Sequence, residues 1–236
     1  MAGEFWLSEE QFGRLAPLLP TDTRSVARVD DRRVISDIVH VLMSGGRWVD
    51  APACYGPKKT LYNRWVRWAQ KGVWQRAFET LAAAGGPSTE LMLDSTWAKA
   101  HRSATGGKGG PHANAIGRSR GGPTTKLHAL VDGRGRLIAF TITPGQRGDA
   151  PVAADLVALL PASNTLAADR AYYSDALRRL LIARGTTPVI PNGPRRKNLH
   201  PFGRIKDFRP VATRYDKLAA TYAAAISLAA IIAWWL

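Results

Sequence analysis

Cysteine and long apolar runs are scarce in this 236-residue chain. Cys54 is the only cysteine, which excludes an internal disulfide and a zinc site built on cysteines. The N-terminal stretch MAGEFWLSEEQFGRL lacks the basic start and the apolar run of a signal peptide. These absences are typical of a protein from a reducing compartment, and we predict a cytoplasmic location.

The one long uncharged segment covers residues 219–236, and its length reaches the lower limit for a membrane span. Alanine is its commonest residue, and Thr221, Tyr222 and Ser227 interrupt its apolar character. A helix that is apolar on all sides is also typical of a protein core. We therefore predict a buried C-terminal helix and no membrane partner.

Acidic residues are few beside the basic ones. Lys and Arg number 33 against 18 Asp and Glu, which gives a formal net charge of +15 and a pI near 10.6. Such an excess attracts a polyanion such as nucleic acid, although ribosomal and membrane-surface roles also fit the charge. The basic residues are spread along the chain and 45% of residues are apolar, which favours a folded protein with a basic face.

Residues 1–84 show the patterns of α-helices. Ser8 and Gln11 form a capping-box pair at the start of a first helix. Apolar residues recur at helical spacing over positions 34–43 and predict a second helix, which Gly45 ends.

Two further predicted helices lie on either side of Gly72, in the outline of a helix-turn-helix. The first is predicted to start at a Thr60 cap, and the second covers residues 73–81. The basic side chains predicted to contact DNA here are Lys58, Lys59, Arg64 and Arg67. A plain helical hairpin with a solvated basic side explains the same pattern equally well.

The pattern changes after residues 85–88 (GGPS), which predict a domain boundary. We expect a helical region at 1–84 and a second domain at 88–236. In the second domain, three predicted strands are followed by helix, strand, helix, strand and helix. Asp149 is predicted to cap the first of these helices, and the last is predicted to run from Asp207 to the C-terminus. This order indicates an α/β fold, with a mixed sheet flanked by helices.

Two aspartates follow short apolar strands in this domain. Asp94 follows the predicted strand 91–93, and Asp169 follows the predicted strand 165–168. If the strands are neighbours, both carboxylates emerge at one edge of the sheet. Two close carboxylates repel and need a cation, and oxygen ligands suit Mg²⁺, an ion that supports phosphoryl transfer. Taken singly, each aspartate also fits a plain turn or capping residue.

A Gly-rich basic stretch lies between the two aspartates. Arg118, Arg120 and Lys126 surround Gly121 and Gly122. Backbone N–H groups in such a loop can cradle a phosphate, so these cations are candidate DNA contacts. A flexible solvated loop fits the same residues equally well.

Six blocks of sequence carry a family resemblance. They are DDRRVISDIVHVLMSGGRW (30–48), YGPKKTLYNRWVRWAQKGVWQRAFE (55–79), LDSTWAKAHRSATGGKGG (93–110), GRSRGGPTTKLHALVDGRGRLIAFTITPGQRGD (117–149), AADRAYYSDALR (167–178) and GRIKDFRPVATRYDKLAATYAAAISLAAIIAWWL (203–236). The chain resembles the bacterial insertion-sequence transposases of the IS-five group, within the DDE superfamily. Six blocks in the family's order make the resemblance specific.

The resemblance implies an RNase H-like core preceded by a helical DNA-binding region. It implies that Asp94 and Asp169 are the first and second catalytic residues and hold Mg²⁺ or Mn²⁺. Lys206 looks like the closing Lys of the family's Tyr-Arg-Glu-Lys signature, a region that contacts the transposon end, with Arg204 beside it. The implied partners are terminal inverted repeats, target DNA and a second copy in a synaptic homodimer. A nucleoid-associated location follows from those partners.

The chain departs from the signature at its glutamate. The Glu is expected seven residues before Lys206, at the position that Leu199 occupies. No glutamate follows Glu90, and the stretch 192–203 is shorter than in the family. Asp207 is the nearest remaining carboxylate, but neighbouring residues on a helix point about 100° apart. Losing the third carboxylate predicts a rate lower by several powers of ten.

Two functional hypotheses follow, beside a simple nuclease built on the same sheet. The first is an active transposase that cuts and joins DNA strands. The second is a catalytically inactive transposase remnant that retains DNA binding. The missing glutamate discriminates between them.

Overall fold

The structure, a computed structural model, describes residues 3–20, 30–104, 114–191 and 202–236. Within these ranges the chain forms a mixed β-sheet with helices packed on its two faces. The strands are β1 (Glu90–Ala100), β2 (Gly117–Ser119), β3 (Gly122–Asp132), β4 (Leu137–Pro144), β5 (Thr165–Ala168), β6 (Thr187–Val189) and β7 (Thr213–Arg214). The helices are α1 (Glu9–Leu15), α2 (Asp31–Ser44), α3 (Lys58–Gln70), α4 (Val73–Ala84), α5 (Ala150–Ala158), α6 (Asp175–Ala183), α7 (Gly203–Lys206), α8 (Arg209–Ala212) and α9 (Ala219–Ala230).

The sheet has an antiparallel half and a parallel half. β3 pairs antiparallel with β1 and with β4, while β2 pairs with the start of β3. On the other side of β1, β5 pairs parallel with β1 and β6 pairs parallel with β5. The main order is therefore β4-β3-β1-β5-β6. This arrangement confirms the expected α/β fold with an RNase H-like core and helices before it.

The N-terminal helices begin and end where local sequence signals predict. The Ser8 hydroxyl oxygen accepts from the Gln11 backbone, and the Gln11 side chain accepts from the Ser8 backbone. Gly45 ends α2 with φ 64°, and Gly72 separates α3 from α4 with the same φ. This left-handed conformation costs glycine little because glycine has no Cβ.

Tertiary contacts change the bounds and caps of several elements from those that local sequence patterns predict. α3 begins at Lys58 and makes no use of a Thr60 cap. β1 continues well beyond Asp94, because β3 supplies hydrogen-bonding partners along this length. Asp149 precedes α5 without capping it, since its carboxylate binds Lys126 instead.

The region after Asp207 is not the single continuous helix that the sequence predicts. α8 is short, and the chain then extends into β7, which pairs with the end of β1. The C-terminal helix α9 begins only at Ala219. The Gly-rich stretch also differs from the prediction, because Gly117–Ser119 forms a strand. Pairing with β1 and β3 gives both segments hydrogen-bond partners that a local pattern does not reveal.

Two apolar cores lie on the two faces of the sheet. The first joins α2, α3, α4 and α9 to the β3 residues Leu127, Ala129 and Val131. The second joins α5 and α6 to Leu93 and Leu130. Helices from both sides of the predicted boundary at 85–88 therefore share one core.

The C-terminal helix α9 is buried, as the sequence predicts. Its residues from Ala224 to Ala230 are at most 3% exposed, and Trp235 beyond it is 3% exposed. Among the helices that the structure describes, none combines the length and apolar character needed to cross a membrane.

Candidate catalytic edge and DNA-binding surface

Asp94 and Asp169 occupy equivalent positions on neighbouring strands. β1 and β5 pair in parallel register, with Leu93 opposite Ala168 immediately before the two aspartates. Neighbouring strands lie about 4.8 Å apart, and paired residues point to the same face of a sheet. The two carboxylates are partly exposed. The strands are thus neighbours, which is the condition on which a shared metal site depends.

Backbone N–H groups orient both carboxylates. The Asp94 Oδ1 atom accepts from the Ser95 backbone at 2.8 Å. The Asp169 Oδ1 atom accepts from the Ala171 backbone at 2.9 Å and so caps the single helical turn Arg170–Tyr172. Asp169 is therefore a capping residue as well as a candidate ligand.

A buried polar network connects the segments that carry the two aspartates. The hydroxyl of Tyr172 interacts with the side chain of Ser95, which follows Asp94, and this interaction lowers the pKa of Tyr172 against the larger effect of burial. The same hydroxyl lies 3.3 Å from the Nδ1 atom of His128, whose Nε2 atom lies 2.9 Å from the Oγ1 atom of Thr143. Four separate segments of the fold are tied together by these contacts.

Burial sets the protonation states in this network. It raises the pKa of the Tyr172 hydroxyl well above its ordinary value, and the nearby carboxylates of Asp149, Asp94 and Asp169 act in the same direction. Burial also lowers the pKa of His128 to about 4. The tyrosine is therefore protonated and the histidine neutral at pH 7, so the network adds no charge beside the aspartates.

Lys206 reaches the face of β1 that carries Asp94. Its ammonium group donates to the Oγ1 atom of Thr96 at 2.8 Å. Thr96 lies two residues beyond Asp94, and alternate residues of a strand share a face. The structure therefore brings three of the predicted site residues, Asp94, Asp169 and Lys206, to one region.

A third metal-binding carboxylate does not join the pair in the part of the chain that the structure describes. There, no three or more His, Cys, Asp or Glu side chains group together in a way that could hold a metal ion. Asp207 is exposed and does not complete the pair. Leu199 lies outside the described residues. The oxygen ligands of Asp94 and Asp169 themselves fit a hard cation such as Mg²⁺ or Mn²⁺.

Most of the predicted DNA contacts are on the surface. The exposed ones are Lys58, Lys59, Arg67, Arg118, Arg120, Arg204 and Lys206. Arg204 also donates to the carbonyl of Ala233 at 3.2 Å. These side chains remain available to DNA phosphates.

Arg64 and Lys126 require a correction. Arg64 is 6% exposed and forms a salt bridge with Asp31, and its guanidinium lies 5.1 Å from the Trp68 ring centroid. Lys126 is 5% exposed, and its ammonium lies 3.0 Å from the carboxylate of Asp149. A buried cation that loses its partner is strongly destabilising. Both cations therefore stabilise the fold, and neither belongs to the candidate DNA-binding surface.

Sequence reasoning missed the role of Arg214. This side chain is fully buried, donates to the carbonyl of Ala115 at 3.3 Å, and lies 5.0 Å from the ring centroid of Tyr222. Burial lowers its pKa to about 10. The surrounding sequence ATRYDK is polar and gives no sign of burial. Arg214 anchors β7 beside the end of β1.

The fold and the paired aspartates agree with two matches to known families. Residues 85–223 match the family described as transposase DDE domain. Residues 7–78 match the family described as putative transposase of IS4/5 family. The first match covers more than half of the chain, which therefore belongs to the DDE transposase family.

Within that family, one of two similar curated proteins is described as an insertion-sequence transposase. The chain is 31% identical over 127 residues to the putative transposase for insertion sequence element IS6501 of Brucella ovis, covering 47% of this chain and 98% of that protein. It is also 31% identical over 104 residues to the uncharacterized protein y4sN of Sinorhizobium fredii, covering 43% of this chain and 82% of that protein.

Two solved structures of the Mos1 transposase are remotely similar. The pre-cleavage Mos1 transpososome has a TM-score of 0.30 at 12% identity, over 71% of this chain and 62% of that chain. The Mos1 paired-end complex with the left transposon end has a TM-score of 0.29 at 14% identity, over 77% of this chain and 49% of that chain. This chain thus spans less than two thirds of either Mos1 chain.

Proposed function

We propose that this protein binds the terminal inverted repeats of an insertion sequence and cuts and transfers DNA strands in a Mg²⁺-dependent reaction. The catalytic part of this proposal rests on one observation: Asp94 and Asp169 each directly follow the last residues, Leu93 and Ala168, of the parallel pairing between β1 and β5. These two residues would hold Mg²⁺ or Mn²⁺. When bound, such an ion supplies charge neutralisation at phosphate and activation of the attacking oxygen.

The protein's own groups would position the DNA for this chemistry. Lys206, held on Thr96 beside Asp94, supplies a positive charge for a phosphate at the cleavage point. The Tyr172 network fixes the segment that carries Asp169 against the strand that carries Asp94. Water attacks first and a DNA 3′-hydroxyl attacks later, each in line with the bond that breaks.

The surface cations would provide most of the DNA affinity. Lys58, Lys59 and Arg67 on α3 are exposed, as are Arg118 and Arg120 near β2. Each phosphate that such a cation neutralises releases counterions, so affinity should fall steeply with salt. We further propose that α3 and its flanking residues contact the terminal repeat. Two copies of the chain would pair, because transposition requires two ends to be held together.

A second candidate function is a transposase descendant that binds DNA without cutting it. Leu199 stands where the signature carries its glutamate, and no third carboxylate joins Asp94 and Asp169 among the described residues. Such a protein would keep the basic surface and could compete with an intact transposase for the same ends.

The test is Mg²⁺-dependent nicking of a labelled duplex that carries the element's own end. Wild type is compared with Asp94→Asn, with Asp169→Asn, and with Asp155→Asn, which changes an exposed carboxylate on α5. Active enzyme should nick the duplex, lose this activity in the first two variants and keep it in the third. A protein that shifts the duplex in a gel and never nicks it is the non-cutting descendant. Equal nicking by all four proteins would refute the proposed site.

A further inference from the structure

The far half of β1 exposes side chains at every second position. Beyond Asp94, the side chains of Trp97, Lys99 and His101 are exposed, whereas Ala98 between them is buried. Same-face side chains on a strand repeat about every 7 Å, so this row extends roughly 13 Å from its first member to its last. The row starts three residues beyond Asp94, on the opposite face of β1, and runs towards the end of the strand.

Trp97 is held in place although 53% of its surface is exposed. Its Nε1 atom donates to the carbonyl of Gly145 at 3.2 Å. The ammonium group of Lys126 lies 4.9 Å from its ring centroid. These contacts fix the orientation of a large apolar ring that would otherwise gain from burial.

A second aromatic pair stands at the far end of the row. The rings of His101 and Tyr215 lie 4.9 Å apart, and Tyr215 is 51% exposed. The His101 backbone donates to the carbonyl of the buried Arg214 at 2.8 Å, and its Nδ1 atom lies 2.9 Å from the Ser103 hydroxyl. The pair is therefore anchored from both chain segments, and Lys99 lies between it and Trp97.

We propose that Trp97, Lys99, His101 and Tyr215 form a contact site for single-stranded DNA on the face of β1 opposite Asp94. Bases can stack on protein rings only when they are unpaired, because the bases of a duplex stack on one another. Alternating rings and cations are the common solution for binding a single strand without sequence preference. The inference rests on the proposed function for the origin of that strand, whereas the binding itself does not require cleavage.

The test measures the affinity of the full chain for a short fluorescein-labelled oligo(dT) and for a labelled duplex of the terminal repeat. The variants are Trp97→Leu, Trp97→Phe and Tyr215→Leu. Trp6→Leu is the matched control, because Trp6 is 43% exposed in the N-terminal region. Circular dichroism and urea unfolding establish that each variant is folded.

Wild type should bind oligo(dT), and Trp97→Leu and Tyr215→Leu should each weaken it by about tenfold, within the range for loss of one base-stacking ring. Trp97→Phe should retain most of the affinity, because it keeps a ring. Trp6→Leu should bind like wild type. Affinity for the duplex should change little in all four variants.

Three results would overturn the inference: no binding of oligo(dT) by wild type, equal losses in Trp97→Leu and Trp6→Leu, or equal losses for oligo(dT) and duplex. The last result would assign the row to duplex binding. If wild type fails to bind or nick the terminal repeat but binds oligo(dT) through Trp97, the proposed function fails and this inference stands.

Discussion

Replacing Asp37 by asparagine should stabilise this protein at neutral and alkaline pH. Asp37 lies on α2, where its side chain is fully buried and neither carboxylate oxygen has a hydrogen-bond partner among the residues that the structure describes. Burial raises its pKa from 3.8 to about 6. Asparagine keeps the shape of the side chain and removes the charge that burial disfavours.

The sign and size of the effect follow from the shift in pKa. At pH values below the unfolded pKa of 3.8, the carboxyl is neutral in both states and costs nothing through ionisation. As the pH rises from there to about 6, the unfolded chain ionises first and stability falls. One pKa unit corresponds to about 1.4 kcal/mol, so the loss is roughly 3 kcal/mol once the pH exceeds the folded pKa.

The assay is urea unfolding of wild type, Asp37→Asn and Asp155→Asn at about pH 4 and about pH 8. Asp37→Asn should gain roughly 2–3 kcal/mol over wild type at the higher pH and well under 1 kcal/mol at the lower one. Asp155→Asn, which alters an exposed carboxylate, should follow wild type. A gain that is the same at both pH values, or no gain at either, would show that Asp37 does not carry this penalty.

Other predictions distinguish buried from exposed groups. Arg64→Ala should destabilise the protein by about 3–5 kcal/mol, because it breaks the salt bridge with Asp31, in which both side chains are at most 10% exposed. Arg67→Ala should leave stability within about 0.5 kcal/mol and weaken binding to the terminal-repeat duplex. Urea unfolding and gel shifts measure both variants, and equal stabilities would contradict the assignment of Arg64 to the core. Tyr172→Phe should lower stability by about 1 kcal/mol and weaken Mn²⁺ binding measured by electron paramagnetic resonance. An unchanged Mn²⁺ affinity would leave Tyr172 a purely structural role.

Local signals in the sequence were sufficient for many of the elements. Ser8 with Gln11 starts α1, and Gly45 ends α2, because these effects depend on residues within one helical turn. The strand at residues 165–168 forms as predicted, since its short apolar run has few alternatives. Thr60 and Asp149 were misjudged as caps, because a longer α3 and the ammonium of Lys126 outcompete those local bonds.

The sequence by itself determined the family, the excess of positive charge and the two aspartates after apolar strands. Only the tertiary structure decided that those strands are neighbours in register, which places Asp94 beside Asp169. The tertiary structure also decided which cations are buried. Arg64 and Arg67 both lie on α3 and belong to the same run of basic residues, but Arg64 is buried and Arg67 is exposed. Strand pairing and packing depend on residues that are far apart in the sequence. The geometry of the site therefore cannot be predicted from short segments and is set only when these residues come into contact.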